Sequence, residues 1–487
     1  MSKQIKKTTK IKMKAKEKKK EKQIQETEVE IKTDKIEEVI VKEETKEEEI
    51  KIDNLNEITK DPKQPEVKKT LKLKKIEKDS KTYIEEARKK IKDFDAKLTK
   101  ACGGEMLYKG DHANFLNVDR FSTGSLTLDY ALGGGIAAHK TTNVYGEASS
   151  SKTTILLKVM ADAQKRDRYT LQYIDFDYIK DNNFIYDKDA SFYSNKDGEI
   201  IEPCCCVLVD IEGTFDADWF RCLGGDPEKL TIIMPEYGEQ TVDIIDELMA
   251  SGLVDVIGVD SLAMMVPVKE RDGSAEDSHM GLQARMLNSA FRKWTSRIST
   301  LRKESKIVPT VININQPRSK IGVMFGSNET LPGGNGQHFS ASIVIRTKKG
   351  KTFHLSDKKE DQKIMPLYKE MSGEIVKNKT APPNIEYEFN LAINDYDPES
   401  HEGDKKYAVP FKKGMILEHS VVITWAYKYN MMGKDESSGK FFIQLIDSTE
   451  PVLYKKKQDM LDEWIYGDEK KYNLIKRDLI KLMLRRT

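Results

Sequence analysis

Thr142-Asn143-Val144-Tyr145-Gly146-Glu147-Ala148-Ser149-Ser150-Ser151-Lys152-Thr153-Thr154, running directly into Ile155 to Gln164 (ILLKVMADAQ), is the stretch on which the fold turns. Thr142 to Tyr145 is apolar and strand-like, Ile155 to Gln164 has helical spacing, and a short loop joins them. Strand, loop, then helix is the context in which a Walker A phosphate loop is credible. Backbone N–H groups at the helix start can cradle phosphate oxygens, Lys152 can neutralise β and γ phosphates, and the Thr153 hydroxyl can ligate Mg²⁺. Gly146 through Thr154 are therefore the candidate contacts for ATP with Mg²⁺. Ser151 stands where the short form of the motif has glycine, which would let backbone approach phosphate with no side chain in the way. On the loop alone, a chance match stays open.

Two carboxylates further along bear on that alternative. The apolar run Cys204 to Val209 ends in Asp210-Ile211-Glu212, and Val254 to Val259 ends in Asp260-Ser261. From Phe121 to about Thr347, short β-branched runs alternate with helical patterns and Gly-rich turns, which implies an α/β core with a mainly parallel central sheet. In such a sheet the strand C-termini converge on the ligand crevice, so Glu212 and Asp260 would both face the nucleotide. Asp260 then suits the Mg²⁺ shell with Thr153, and Glu212 the orientation of an attacking water. Either acid alone could simply end a strand. Together with the loop they make a site.

The 487 residues leave room for about three domains, and 38% hydrophobic content supports a sizeable core. A net charge of +2 says nothing about nucleic acid, so any basic surface must be local. Cys204, Cys205 and Cys206 are consecutive and Cys102 and Cys222 stand alone, which fits no metal or disulfide spacing. With no apolar stretch of spanning length and no secretory signal, a cytoplasmic location with no membrane partner is expected. Residues 1–80 contain no aromatic, glycine or cysteine and consist mainly of Lys, Glu, Ile, Thr and Gln. That composition implies a disordered charged tail, a solubilising extension rather than a polycation for nucleic acid. Residues 81–120 are read as a helix over Tyr83 to Leu98 and an oligomerisation segment, 121–385 as the core, and 386–487 as a small α+β domain. In that last domain Tyr387 to Ile393 and Ser420 to Tyr427 read as strand-like and Lys470 to Leu484 as helical.

The runs Asp277-Ser278-His279-Met280-Gly281-Leu282-Gln283-Ala284-Arg285-Met286 and Asn315-Gln316-Pro317-Arg318-Ser319-Lys320-Ile321-Gly322-Val323-Met324-Phe325-Gly326 closely resemble the two DNA-binding loop regions of the RecA family. Ser122 to Leu126, Asp210 to Asp216, Gly238-Glu239-Gln240, Gly333-Gly334-Asn335 and Val376-Lys377-Asn378-Lys379 agree in order, and the resemblance covers roughly 85 to 390. It implies a RecA-like P-loop core in which Lys152, Thr153, Asp260 and Glu212 hold the nucleotide roles above. It further implies that Gln316 senses the γ-phosphate, and that Lys377 and Lys379 reach the ATP of a neighbouring subunit. Phe339 resembles an interface aromatic, or is an ordinary core residue. The implied partners are single- and double-stranded DNA and further copies of the chain in a helical filament. Met280, Gly281, Arg285, Arg292, Arg318, Lys320, Ile321, Gly322, Val323, Gly333, Gly334 and Asn335 are the candidate DNA contacts.

Those loops carry their own chemistry. Arg285 and Arg292 lie two helical turns apart, Arg318 and Lys320 follow a Gln-Pro break, and Ile321, Val323, Met324 and Phe325 sit in a Gly-punctuated loop. Guanidinium groups suit a phosphate backbone and apolar residues beside them suit insertion between base steps. Either segment alone is as well explained by a solvated helix face or a buried loop; the family pattern decides. Binding is then expected to be largely sequence-independent and salt-sensitive.

Three features depart from that pattern. Ser151 replaces the loop glycine, so ATP binding is expected to be kept while the hydrolysis rate is in question. Residues 169–203 form an insertion whose aromatics, with the turn Lys196-Asp197-Gly198, suggest a β-hairpin, read as a surface ornament before a partner contact. The chain ends in Lys476, Arg477, Lys481, Arg485 and Arg486 rather than in acids. With the long N-terminal extension, these look more like a bacteriophage or diverged recombinase than a bacterial housekeeping copy. The leading expectation is an ATP-dependent recombinase that forms a filament on single-stranded DNA and catalyses strand exchange. An ATP-binding, poorly hydrolysing coating or mediator filament is the alternative that Ser151 keeps open, and a hexameric motor is argued against by the DNA loops and the Lys377/Lys379 pair.

Overall fold

The computed structural model describes residues 118–484 except 189–190, 275–280, 305, 320–328, 335, 356–364 and 399–409, together with 88–90, 92–93 and 96–97. The chain divides into two units, Met1–Lys92 and Asp93–Thr487. In the first, residues 88–90 and 92 are helical, within the stretch read as a helix, and the 1–80 tail lies outside the described residues.

In the second unit residues 93, 96 and 97 are helical, and from residue 118 a two-stranded ribbon of β1 (Arg120–Phe121) and β2 (Ile136–Ala137) brackets helix α1 (Leu126–Leu132). Then come β3 (Thr141–Gly146), α2 (Lys152–Ala163), α3 (Phe176–Asp181), and the small antiparallel sheet of β4 (Ile185–Asp187), β5 (Phe192–Ser194) and β6 (Ile200–Ile201). The core continues through β7 (Cys206–Asp210), β8 (Leu230–Ile233), α4 (Gly238–Ser251), β9 (Val256–Asp260), α5 (Leu282–Lys303) and β10 (Thr310–Asn315). A short ribbon of β11 (Arg318–Ser319) and β12 (Glu329–Thr330) precedes α6 (Gly336–Ser340), β13 (Ile343–His354), β14 (Pro366–Asn378), β15 (Glu386–Ala392) and β16 (Ile416–Leu417). Helix α7 (His419–Lys428), the sheet of β17 (Met432–Lys434), β18 (Phe441–Ile443) and β19 (Val452–Tyr454), and α8 (Glu469–Leu484) complete it.

The central sheet runs β16-β15-β14-β13-β3-β10-β9-β7-β8. Its six strands from β13 to β8 are parallel, and β14 to β16 continue it antiparallel. Alternation along the buried strands feeds two cores, as the two-residue side-chain period requires. Cys206, Leu208 and Val256 face α2, whereas Val207, Val209, Ile257 and Val259 pack with Ile245 and Met249 of α4 and Leu287, Phe291 and Trp294 of α5. At Gly258 α2 comes close enough that a Cβ would lie 2.7 Å from Met160 Cε and 2.8 Å from Leu156 Cδ1.

Three readings of the sequence differ from what is observed. Ser420 to Tyr427 is helical within α7, not a strand; Val422 and Ala426 are buried one helical turn apart, so packing overrides the β-branched composition. Tyr387 to Ile393 does form a strand, but β15 pairs with β14, so an expected boundary at 385/386 falls between two hydrogen-bonded strands. The insertion is not a hairpin alone. Asp175 caps α3 by accepting from the N–H groups of Asp177 (3.0 Å) and Tyr178 (3.1 Å), and only the second half is a β-meander, with its turn at 195–199 between β5 and β6.

Candidate functional site

β3 delivers the phosphate loop at the C-terminal edge of the sheet. β13 passes so close that a Cβ on Gly146 would lie 2.2 Å from Thr347 Oγ1 and 2.3 Å from the Thr347 carbonyl oxygen. The Ser150 hydroxyl shares a 2.6 Å hydrogen bond with that of Thr347 and donates to the Glu147 carbonyl at 2.8 Å. Glu147, Ala148 and Ser149 are exposed and Thr154 is half-buried. Ser149 (φ 59°) and Ser151 (φ 68°) hold left-handed backbone. The departure at 151 is thus conformational as well as steric: the position asks for the residue without a Cβ.

Lys152 is 6% exposed, and its ammonium donates to the Glu147 carbonyl at 2.7 Å. Burial pulls its pKa below the ordinary lysine range, Asp260 and Glu212 act the other way, and Lys369 adds to the lowering. The Thr153 hydroxyl donates to the Asp260 carboxylate at 2.6 Å. Asp260 ends β9 opposite Asp210 at the end of β7. Burial pushes its carboxyl up to about 6, against the Thr153 hydrogen bond and with Glu212 and Asp210 reinforcing the rise. Glu212 accepts from the Ser261 hydroxyl at 2.6 Å and from Gln316 Nε2 at 3.4 Å. Lys152, Thr153, Asp260, Glu212 and Gln316 are therefore brought together at the ends of β3, β9, β7 and β10. Asp210 serves the loop instead, accepting from the N–H groups of Gly213 and Phe215 at 2.9 Å each.

This set fits ATP with Mg²⁺. Amides at the start of α2 and the Lys152 ammonium are phosphate donors, and the Thr153 hydroxyl and Asp260 carboxylate are the hard oxygens Mg²⁺ takes beside phosphate. Reading the sequence missed Ser261, Thr347 and Lys369, whose ammonium donates to the Ser149 carbonyl. Ser261 directly follows Asp260 and could have been found; the other two reach the loop only through β13 and β14.

Lys377 and Lys379 are not brought to the loop of their own chain. Thr347, opposite Gly146, pairs with Gly373 of β14, and Lys377 lies four residues beyond, about 13 Å along the strand. Its ammonium donates to the carbonyls of His338 and Phe339, and the Phe339 side chain is 72% exposed rather than core.

Of the DNA-loop candidates, Gly281 (φ 77°) caps α5, and Arg285 and Arg292 are exposed on that helix, opposite its buried stripe of Leu287, Ala290, Phe291 and Trp294. Gln283 fixes the helix start by donating to the carbonyls of Ala263 and Met265 at 3.0 Å each. Arg318 is exposed; Gly333 (φ 88°) and Gly334 (φ 61°) form the turn before α6. Met280, Lys320, Ile321, Gly322, Val323 and Asn335 lie outside the described residues. Buried amides hold both roots of the second loop: Asn315 Nδ2 donates to the Pro332 carbonyl (3.0 Å) and to Gln337 Oε1 (2.8 Å), and Gln337 Nε2 donates to Pro332 as well (2.9 Å).

A phosphate loop at the end of a parallel strand of the central sheet, with acids at the ends of two further parallel strands, defines a P-loop nucleoside triphosphatase. A family model described as the RecA N-terminal domain matches residues 89–190 and 199–396, its break falling inside the 169–203 segment. Protein RecA of Clostridium acetobutylicum is 34% identical over 310 residues, 63% of this chain and 75% of the relative. Protein RecA of Chlorobium limicola is 38% identical over 293 residues (60% and 70%), and that of Chlorobium chlorochromatii 33% over 365 residues (75% and 87%). The chain belongs to the RecA family, and its function lies in DNA recombination and repair. As a family this is one of DNA-dependent ATPases. Among the described residues, no helix is long and apolar enough to cross a membrane.

Proposed function

We propose that this chain is a DNA-dependent ATPase that assembles as a helical filament on single-stranded DNA and catalyses homologous pairing and strand exchange, in a bacterial cytoplasm. The observation that carries the proposal is the Gln316–Glu212–Ser261 chain of contacts: one residue at the root of the second DNA loop touches a carboxylate at the phosphate loop. Bound ATP with Mg²⁺ would supply the γ-phosphate whose presence or loss the filament reads. Lys152 neutralises phosphate, Thr153 and Asp260 hold the metal, Glu212 orients water with Ser261 fixing its carboxylate, and Gln316 couples the site to the loop after β10. Lys377 and Lys379, remote from their own loop, serve that of the adjacent subunit, which makes hydrolysis depend on assembly. Arg285, Arg292, Arg318 and the loop residues around them bind DNA mainly through its backbone.

The test is ATP hydrolysis with and without single-stranded DNA, for the parent, Lys152→Ala and Ser151→Gly. Stimulation by DNA that Lys152→Ala abolishes is expected. Hydrolysis at the Lys152→Ala background in the DNA-bound parent, restored by Ser151→Gly, would replace this reading with a nucleotide-gated coating protein.

A further inference from the structure

β13 pairs with β3 only as far as Thr347, opposite Gly146. β13 then continues to His354, and β14 returns from Pro366, so the two strands form an antiparallel arm beyond the phosphate loop, with Thr352 opposite Lys369. From that arm the Lys369 ammonium donates to the Ser149 carbonyl, while the Lys152 ammonium donates to the Glu147 carbonyl. Two cations from different elements thus rest on carbonyl oxygens two residues apart in one loop. Burial and then the neighbouring Lys349 lower the pKa of Lys369 itself. Like charges gathered at a loop whose amides favour anions are relieved when an anion arrives. The loop carbonyls occupy the positions of weak acceptors that phosphate oxygens would replace with stronger, charge-assisted ones.

We infer that Lys369 is a second phosphate-binding cation of the nucleotide site, supplied by the same chain from the β13–β14 arm and passing from the Ser149 carbonyl to the phosphate chain when nucleotide binds. The inference rests on the nucleotide reading above. It gives β14 two separate duties: Lys369 toward its own loop, and Lys377, eight residues further on, toward a different surface.

Calorimetric titration of the full-length protein with MgATP and with adenosine, at fixed ionic strength, tests it, beside thermal unfolding without nucleotide. Lys369→Met should weaken MgATP roughly tenfold, the scale of one hydrogen bond to a charged group. Adenosine affinity and the nucleotide-free midpoint should hardly move, and Lys369→Arg should recover most of the MgATP affinity. Lys351→Met, which removes an exposed charge from the same arm, should change little. Parental MgATP binding by Lys369→Met, with binding lost in Lys152→Ala, would overturn the inference and leave the site standing. A lowered nucleotide-free midpoint with equal weakening of adenosine and MgATP would make Lys369 a strut of the loop, and an equal effect of Lys351→Met would make it part of a diffuse field; both overturn the inference. Parental MgATP binding by Lys152→Ala would remove the nucleotide reading itself.

Discussion

Ser151→Gly should stabilise the nucleotide-free protein, although it removes a side chain from a loop. Ser151 sits at φ 68°, ψ 28° and its side chain makes no capping hydrogen bond to α2. Left-handed backbone costs a residue with a Cβ about 1–2 kcal/mol, and glycine gives back about 0.4–1 kcal/mol through the extra freedom of the unfolded chain. The net expectation is a gain of about 0.5–1 kcal/mol. Its two neighbours provide the controls. Ser149, exposed at φ 59°, should respond in the same direction. Ser150→Gly should lose about 0.5–1.5 kcal/mol, since it removes the buried hydroxyl bonded to Thr347 and Glu147. Urea unfolding of the three variants without nucleotide reads all three signs. If Ser151→Gly destabilises the protein as much as Ser150→Gly, serine 151 is held by contacts rather than strained, and the conformational account of this departure from the motif is wrong.

Glu418 is 1% exposed and accepts from the N–H groups of Leu126 (2.7 Å) and Thr127 (3.3 Å) and from the hydroxyls of Ser125 and Thr127, with the Lys476 ammonium 3.8 Å away. It ties α1 of the core to the C-terminal cluster, so Glu418→Ala should cost about 3–5 kcal/mol in urea unfolding, and a change below about 1 kcal/mol would mean the cluster docks without this carboxylate. His419, beside Tyr466 and Tyr472, has its pKa depressed to about 4, by burial first and then by Lys476. The fold therefore favours its neutral form: the contribution is complete above about pH 6.5 and is lost as pH falls through 4, amounting to at most about 3 kcal/mol. His419→Gln should flatten stability over that window; an unchanged pH profile would show that another group controls it.

Much of the site could be read along the chain because its parts are local. The loop between β3 and α2, the acids after β7 and β9, and Gln316 after β10 each sit at a strand end, and a parallel sheet necessarily gathers strand ends on one edge. Less legible were segments whose composition favours one structure and whose burial favours another. Ser420 to Tyr427 is rich in β-branched and aromatic residues, yet its contacts with α1 and α8 reward helical spacing; Tyr130 meets Trp425 edge-on at 5.6 Å. Phe176 to Asp181 lies in the aromatic-rich insertion read as a hairpin, while the decisive residue was the capping Asp175.

The sequence by itself determined the nucleotide-binding class, the candidate metal pair Thr153 and Asp260, and the family, because those depend on short-range order of residue types around strand ends. Only the tertiary structure decided that Ser261 holds Glu212, that Thr347 forces glycine at 146, that β15 belongs to the central sheet, and that Lys369 reaches the phosphate loop while Lys377 does not. Those are consequences of register between strands far apart in the chain. A shift of one residue in β13 against β3 or β14 would exchange which side chains face the loop, and no local pattern encodes that choice.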